Sequence, residues 1–378
     1  MDNSNVLALK YRPTKLADLI GQESVTTTLA NAFKDKDIYT CLVFAGNFGC
    51  GKTSAARILA AMENCADGPT LEPCGHCKMC RDIFAGDSID VREVNAASHN
   101  GIDDIRNIAD FVGSGSLLAR TKYVIFDEVH ALSRQAVESA LKVLEEPPEG
   151  VRFVLCTTDL HKLKATIQTR CMPFRFTKVP WPQIAEHLKS IAAMEKISVD
   201  DASLKIAAKL SDGSVRNSLR NLQLLKTYAG EKPITADIAQ QALGAIDDNN
   251  WFILMDAIID RDATSGIKII QELFNKGLDV AQILNGLTEH LRTMLLLGTV
   301  KNTSGLLYLS EEEKKQYIHR IGRMSIYLVD LVIEMISLLQ DVHRGITLNI
   351  HAQTLMEQFL IKSMIRRKQI EDEKTPLK

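Results

Sequence analysis

The sequence predicts an α/β region built on a parallel sheet, followed by an all-α remainder. Three observations carry this: a glycine-rich loop between an apolar run and a helical run at residues 41–62, four or five apolar runs separated by helical stretches up to residue 176, and helical patterning alone after residue 179. In the first, Cys41, Leu42, Val43, Phe44 and Ala45 lead into Gly46, Asn47, Phe48, Gly49, Cys50, Gly51, Lys52 and Thr53, and Ser54 opens the helical run. The glycines at 46 and 51 let successive backbone N–H groups curl around phosphate oxygens. Lys52 reaches the outer phosphates, and the Thr53 hydroxyl can ligate Mg²⁺. The helix that follows turns its positive N-terminal end toward the same anion.

A chain of 378 residues, 46% hydrophobic and 24% charged, suits two or three soluble globular domains and excludes a disordered or fibrous protein. A formal charge of −2 provides no global basic field, so any nucleic acid would be held by a local basic surface. Residues 1–5 have no basic segment leading into an apolar one, and no apolar run approaches the ~20 residues that span a bilayer. A cytoplasmic chain without membrane contact is expected. Eight cysteines in a chain of this size with a nucleotide loop fit a reducing compartment, which favours metal as the account of any clustered subset.

In chain order, Leu9, Lys10, Tyr11, Arg12 and Pro13 precede an amphipathic stretch at 16–20 and a helical pattern at 24–33. This arm either packs on the first domain or folds over the nucleotide base. After the loop helix come Cys65, Cys74, Cys77 and Cys80, a doubled Cys-x-x-Cys with one further thiol. Four thiolates are the tetrahedral set of a closed structural Zn²⁺ site, with free or redox-active thiols as the alternative. Pro73, Gly75 and His76 are turn formers, and four cysteines leave His76 no vacancy as a ligand. Cys41, Cys50, Cys156 and Cys171 are read as small core or loop residues.

Residues 90–94 read as a second strand. Asn95, Ala96, Ala97, Ser98, His99, Asn100 and Gly101 then lead to a helix with Ile102, Ile105, Ile108 and Ala109 on one face and Asp103, Asp104 and Arg106 on the other. His99 is read as a loop residue. A third strand at 123–126 ends in Asp127, Glu128, Val129 and His130. Carboxylates at the C-terminal tip of a parallel strand face the ligand crevice; Asp127 would hold the Mg²⁺ shell, and Glu128 would orient and polarise an attacking water. His130 is read as structural. Ser133 caps a helix to Glu146, stopped by Pro147 and Pro148. A fourth strand at 152–156 ends in Thr157, Thr158 and Asp159, polar groups able to reach a γ-phosphate or the water. A short helix runs to Thr169, Arg170 and Cys171, and Phe174 and Phe176 alternate in a last strand.

In the helical part, Trp181 and Pro182 open a segment with amphipathic helices at 202–210 and 218–228. After a break at 244–250, apolar faces recur at 251–259, 280–297, 326–339 and 348–367. Lys362, Arg366, Arg367 and Lys368 suit a solvated helix end.

These motifs, with Leu144, Glu145, Glu146, Pro147 and Pro148 and with Gly213, Ser214, Val215 and Arg216, resemble in order those of the AAA+ clamp loaders. The four-cysteine insert narrows the resemblance to the bacterial DNA polymerase III gamma/tau subunits. It covers residues 7–243 motif by motif and, more loosely, a helical remainder to about residue 368. It implies an AAA+ P-loop ATPase domain at 1–179 with a zinc-binding insert at about 64–82, a helical lid at 180–243, a helical collar for oligomerisation at 244–368 and a tail at 369–378.

The resemblance further implies a heteropentameric ATPase of the DNA polymerase III holoenzyme that takes ATP, Mg²⁺ and Zn²⁺. It would assemble with delta- and delta-prime-type subunits, open a ring-shaped sliding clamp and place it on primer-template DNA, touching phosphates without reading bases. In that scheme ATP sits between neighbouring subunits. Arg170 reaches into the adjacent site in trans, Thr158 or its neighbour Thr157 matches sensor 1, Arg216 matches the sensor 2 arginine of the lid, and Tyr11, Arg12 and Pro13 lie near adenine.

The sequence departs from the family pattern at Asn47 and at Leu160 and Lys164, where prolines are usual, at Thr169 for a serine, and at Asn217 for an aspartate; none removes a charged catalytic group. If Lys378 is its natural end, it reads as a gamma-type form without the long tau extension; a shortened longer form would read the same. An assembly scaffold with a structural nucleotide is the alternative from another class. A branch-migration helicase is disfavoured, because nothing after residue 244 reads as a winged helix and that family has no four-cysteine insert.

Overall fold

The computed structural model describes residues 6–35, 38–99, 101–145, 147–303, 306–324, 327–348 and 350–374. The readings of Asn100, Glu146, Ile326 and the first and last few residues lie outside these, as do the faces assigned to Ile102 and Asp103. The chain divides into two units, Met1–Leu243 and Gly244–Lys378. The expected α/β region and helical remainder are both present.

In the first unit, α1 (Leu7–Lys10) and α2 (Glu23–Lys34) precede β1 (Cys41–Ala45) and α3 (Lys52–Asn64). Then come α4 (Lys78–Ala85), β2 (Val91–Asn95), α5 (Ile102–Gly113), β3 (Lys122–Asp127), α6 (Arg134–Glu145), β4 (Val151–Thr157), α7 (Ala165–Gln168) and β5 (Met172–Arg175). The strands form one five-stranded sheet in the order β2-β3-β4-β1-β5, with every pairing parallel. All five residues of β1 are buried, as a strand covered by helices on both faces requires. One face packs Phe44, Tyr123, Ile125 and Val154 against α3. The other packs Val43, Val124 and Leu155 under α5 and α6. Phe176 falls beyond β5, yet its N–H still donates to the Ala45 carbonyl at 2.7 Å.

Two local features differ from the sequence reading. α4 was not expected, because the cysteine and turn residues around it mask the helical pattern. Its start is set by Cys77, whose sulfur accepts the Cys80 N–H. Cys41 and Cys171, read as separate core residues, are joined in a disulfide. The register that pairs Leu42 with Met172 brings the two preceding residues side by side.

Helices α8 (Trp181–Met194), α9 (Asp201–Lys209), α10 (Val215–Ala229) and α11 (Ala236–Leu243) enclose a separate apolar core of Ile184, Leu188, Leu204, Leu222 and Leu225. Leu7 of the arm is buried in that core, and Lys10 and Tyr11 both donate to Glu195 at the end of α8, at 2.5 and 2.7 Å. The N-terminal arm is thus fastened to the helical subdomain. The Gln22 side chain bonds the Thr177 backbone in both directions, at 2.8 and 3.0 Å.

Glu63 at the end of α3 accepts from the Tyr123 hydroxyl at 2.5 Å and from Arg152 Nε and Nη2 at 2.7 and 2.8 Å. Burial, then the Glu63 charge, push the Tyr123 phenol well above its ordinary pKa. The three residues tie α3 to β3 and β4.

The second unit is helical: α12 (Asp248–Asp260), α13 (Ala263–Asn275), α14 (Val280–Thr299), α15 (Glu311–Arg323), α16 (Leu328–Thr347) and α17 (Ala352–Lys374). Asp247, Asp262, Asp279 and Ser310 cap the first four with side-chain acceptors. α13 and α15 escaped the periodicity reading. The capping box of Ser310 and Glu313 was the available signal for α15. α13 and α17 approach closely because Gly266 carries no Cβ, which would lie 2.6 Å from Leu360. Asp256 pairs with Arg320 at 2.6 Å and Arg323 at 2.8 Å, joining α12 to α15.

Inside this core, His290 sits between Phe252 and Tyr317, its Nδ1 2.9 Å from the Tyr317 hydroxyl. Its Nε2 has no hydrogen-bond partner among the described residues. Burial, then Arg320, bring His290 from 6.5 down to about 3.

Two outcomes are expected in urea unfolding of the whole chain. Glu63→Ala strands the Tyr123 hydroxyl and the Arg152 guanidinium, for a loss of about 3 kcal/mol; an unchanged midpoint would show that the network adds nothing. For His290, the unfolded chain takes up a proton near pH 6.5 that the folded unit refuses until about 3. Its contribution is therefore complete above the upper value and is lost as pH falls toward the lower one, at about 1.4 kcal/mol per unit. Relative to His290→Gln, the wild type should lose stability across that window at about that slope; parallel curves would contradict it.

Candidate nucleotide and metal sites

The loop between β1 and α3 turns back on itself through Gly49, at φ 69°, and Gly51, at φ 105°, the latter preceding the first residue of α3. Both conformations favour glycine. Gly49 is doubly constrained, since a Cβ there would meet the Ser214 Oγ at 2.2 Å. Lys52 Nζ donates to the carbonyls of Gly46 and Asn47, at 2.7 and 2.9 Å, so the lysine arches over the loop. The Thr53 hydroxyl donates to Asp127 Oδ2 at 3.3 Å, joining the α3 N-terminus to the tip of β3.

Glu128 follows in the left-handed region, at φ 52°. For a non-glycine residue this is a strained conformation of the kind that collects at functional sites. Its carboxylate accepts from Thr158 Oγ1 at 3.1 Å and lies 3.3 Å from His130 Nδ1, which is itself 3.0 Å from Thr157 Oγ1. His130, read from sequence as structural, thus lies between Glu128 and Thr157 at the strand tips.

A pocket opens over this loop. Its walls include Tyr11, Arg12 and Pro13 from the arm, Gly49, Cys50, Gly51, Lys52, Thr53 and Ser54 from the loop and α3, Asp127 at the end of β3 with Glu128 just beyond it, and Arg216 from α10. Arg216 is anchored there by its own N–H, 3.4 Å from the Gly49 carbonyl. Burial, then the nearby Arg57, lower the Arg12 pKa; Arg57 itself is held by Glu93 at 2.8 Å and by the Phe84 carbonyl at 2.7 Å.

Gly46 and Asn47 shape the loop and receive Lys52 without lining the pocket, and Thr158 acts on it through Glu128. Arg170 stands apart. It is exposed, its Nη1 donates to the Thr166 carbonyl at 2.8 Å, and it precedes β5, whose first residue pairs with Leu42 near the start of β1. That is the end of the sheet away from the loop. Asn95 lines the pocket and was missed as a loop residue. Its position at the C-terminal tip of a predicted parallel strand was the available signal.

The sulfurs of Cys65, Cys74, Cys77 and Cys80 converge within 4.8 Å of one another. Backbone N–H groups of Cys74, Cys77 and Cys80 donate to the sulfurs of Cys65, Cys74 and Cys77, at 3.4, 3.4 and 3.3 Å. Such donors favour thiolates. Burial opposes ionisation of Cys77, but the N–H groups of Ala66 and Cys80 bring it down to about 6. Burial pushes Cys80 up. Four convergent sulfurs with a chain of N–H donors can hold one tetrahedral thiophilic cation.

A family model described as DNA polymerase III, delta subunit, matches residues 21–180, and one described as DNA polymerase III subunits gamma and tau domain III matches residues 234–372. The DNA polymerase III subunit gamma of Buchnera aphidicola is 34% identical over 282 residues, covering 75% of this chain and 78% of that one. The tau subunit of Bacillus subtilis is 33% identical over 354 residues, 93% of this chain and 62% of its own length. The tau/gamma subunit of Haemophilus influenzae is 37% identical over 299 residues, 79% of this chain and 43% of its own. The chain thus spans about half the length of these two longer relatives. Among solved structures, a Holliday junction branch migration motor of Thermotoga maritima superposes with a TM-score of 0.48 at 20% identity, over 66% of this chain and 79% of that one. By its identity to the Buchnera subunit over most of both chains, and by the two models matched in order, the chain belongs to the DNA polymerase III gamma/tau family.

Proposed function

We propose that this chain is the ATP-hydrolysing motor subunit of a clamp loader, which opens a sliding clamp and places it on primer-template DNA. The observation that supports this most is the Thr53–Asp127 contact at 3.3 Å with Glu128 beside it, against the glycine loop. A metal-holding hydroxyl and carboxylate, a water-orienting carboxylate and a lysine meet in one pocket, which is the equipment of phosphoryl transfer. A nucleotide site used only for assembly would have no need of a strained, twice-held glutamate.

Lys52 would exchange the Gly46 and Asn47 carbonyls for outer phosphate oxygens. Thr53 and Asp127 would hold Mg²⁺, which supplies charge neutralisation on the phosphates. Glu128, kept in place by Thr158 and His130, would accept a proton from the attacking water. Tyr11, Arg12 and Pro13 would flank the nucleoside, with the Tyr11 hydroxyl already committed to Glu195 at 2.7 Å. Arg216 would follow the phosphates with α10, so that the helical lid over residues 180–243 reports occupancy. Arg170 would serve the pocket of a neighbouring subunit. Cys65, Cys74, Cys77 and Cys80 would hold a structural Zn²⁺.

The second unit would form the collar of a heteropentamer with delta- and delta-prime-type subunits, working in the cytoplasm. DNA would be gripped through its phosphates.

ATPase rate measured with the partner subunits, a cognate clamp and primed DNA tests the proposal. Clamp and primed DNA together should stimulate turnover, and a rate indifferent to both would refute a loader. Lys52→Ala should abolish ATP binding. Arg170→Ala should leave binding by the isolated subunit nearly intact while turnover of the assembly falls by about 10³. Lost binding in the isolated Arg170 variant would refute a role in trans.

A further inference from the structure

The four-cysteine cluster has a second set of ligand atoms on its rim. Asp67, Cys74 and His76 offer a carboxylate oxygen, a sulfur and an imidazole nitrogen that also lie within 4.8 Å of one another. The two sets share Cys74 and differ in access: Cys65 and Cys80 are 0% exposed, whereas Asp67 and His76 are exposed and Cys74 and Cys77 are half-buried. A cation arriving from water meets the rim before it can meet the inner sulfurs.

His76 is prepared to act there. Its Nδ1 lies 2.9 Å from the Cys74 carbonyl oxygen. That contact holds the imidazole beside the shared sulfur. Asp67 adds an anionic oxygen that attracts a dication at longer range than a thiol can. Zinc, with a filled d shell, has no electronic preference for one geometry and passes through five-coordinate arrangements at low cost, so ligands can be exchanged one at a time.

We infer that Asp67, Cys74 and His76 form an outer acceptance station through which a zinc ion enters and leaves the four-cysteine site; this rests on the zinc reading given above. On entry the ion is held by the Asp67 carboxylate, the Cys74 sulfur and the His76 nitrogen, with water completing the shell. Cys77, Cys65 and Cys80 then displace water, Asp67 and His76. Each incoming thiol gives its proton to solvent as its sulfur binds, and no electron changes hands. Release runs the same steps in reverse. His76 and Asp67 therefore set the rate of exchange and leave the final coordination to the four sulfurs.

The test uses the full chain, stripped of metal and reloaded with Zn²⁺ or with Co²⁺, whose thiolate absorption reports the ligand set. Wild type, His76→Ala and Asp67→Ala should each take up one tight equivalent with the same four-thiolate spectrum. Transfer of zinc to a competing chelator should be about 10-fold slower in each variant than in wild type, and His76→Cys should restore it. Equal transfer rates in all three chains, at equal stoichiometry, would overturn this inference alone. A changed cobalt spectrum in His76→Ala would also overturn it, by making His76 an inner ligand. Absence of any tight equivalent in the wild type would remove the zinc reading and this inference together.

Discussion

The parallel register of four adjacent strands determines which side chains line the candidate nucleotide pocket in this chain. Asn95 pairs with Asp127 across β2 and β3, and Ala45 pairs with Thr157 across β1 and β4. The strand tips therefore end level, just where β1 gives way to the glycine loop. Side chains alternate along a strand, so a slip of one residue would turn each tip to the other face. Burial on both faces prevents that slip, because Val43, Val124 and Leu155 are already committed to one helical layer and Phe44, Ile125 and Val154 to the other. The geometry of the pocket is in this sense a by-product of core packing.

The remaining walls of the pocket come from segments far away in sequence, and each is held by a contact that tolerates little change. Gly49 meets Ser214, the residue that caps α10, so the loop and the helix carrying Arg216 fit only while position 49 lacks a Cβ. The arm reaches the pocket with Tyr11, and its far side is pinned to Glu195 and to the core around Leu7. The Glu195 carboxylate is held below its usual pKa chiefly by hydrogen bonds from Lys10 and Tyr11, and so remains a charged anchor. Because α10 begins at Val215, any rotation of the helical subdomain carries Arg216 with it, and the two bonds to Glu195 draw the arm along.

The cysteine insert and the helical unit show two further solutions to burial. In the insert, Cys80 and Ile83 join the core under α3, and sulfur atoms bonded by successive N–H groups organise the turns around them. In the helical unit, His290 of α14 is enclosed in an aromatic cluster with Phe252 of α12 and Tyr317 of α15, where burial disfavours its charged form. Arg320 serves there twice, pairing with Asp256 at 2.6 Å and lying 4.4 Å from the Phe252 ring centroid.

The sequence by itself determined the strand-loop-helix unit, the carboxylates at the tip of β3, the four clustered thiols and the change to helices after residue 179. Each is written in consecutive residues: a glycine spacing, an apolar run ending in charge, a Cys-x-x-Cys, a periodicity. Tertiary structure alone decided that Asn95 enters the pocket, that Cys41 lies against Cys171, and that Arg170 sits away from its own pocket. These depend on which strands become neighbours and in what register. That is set by the summed burial of residues 100 or more positions apart, a long-range quantity that no local spacing records.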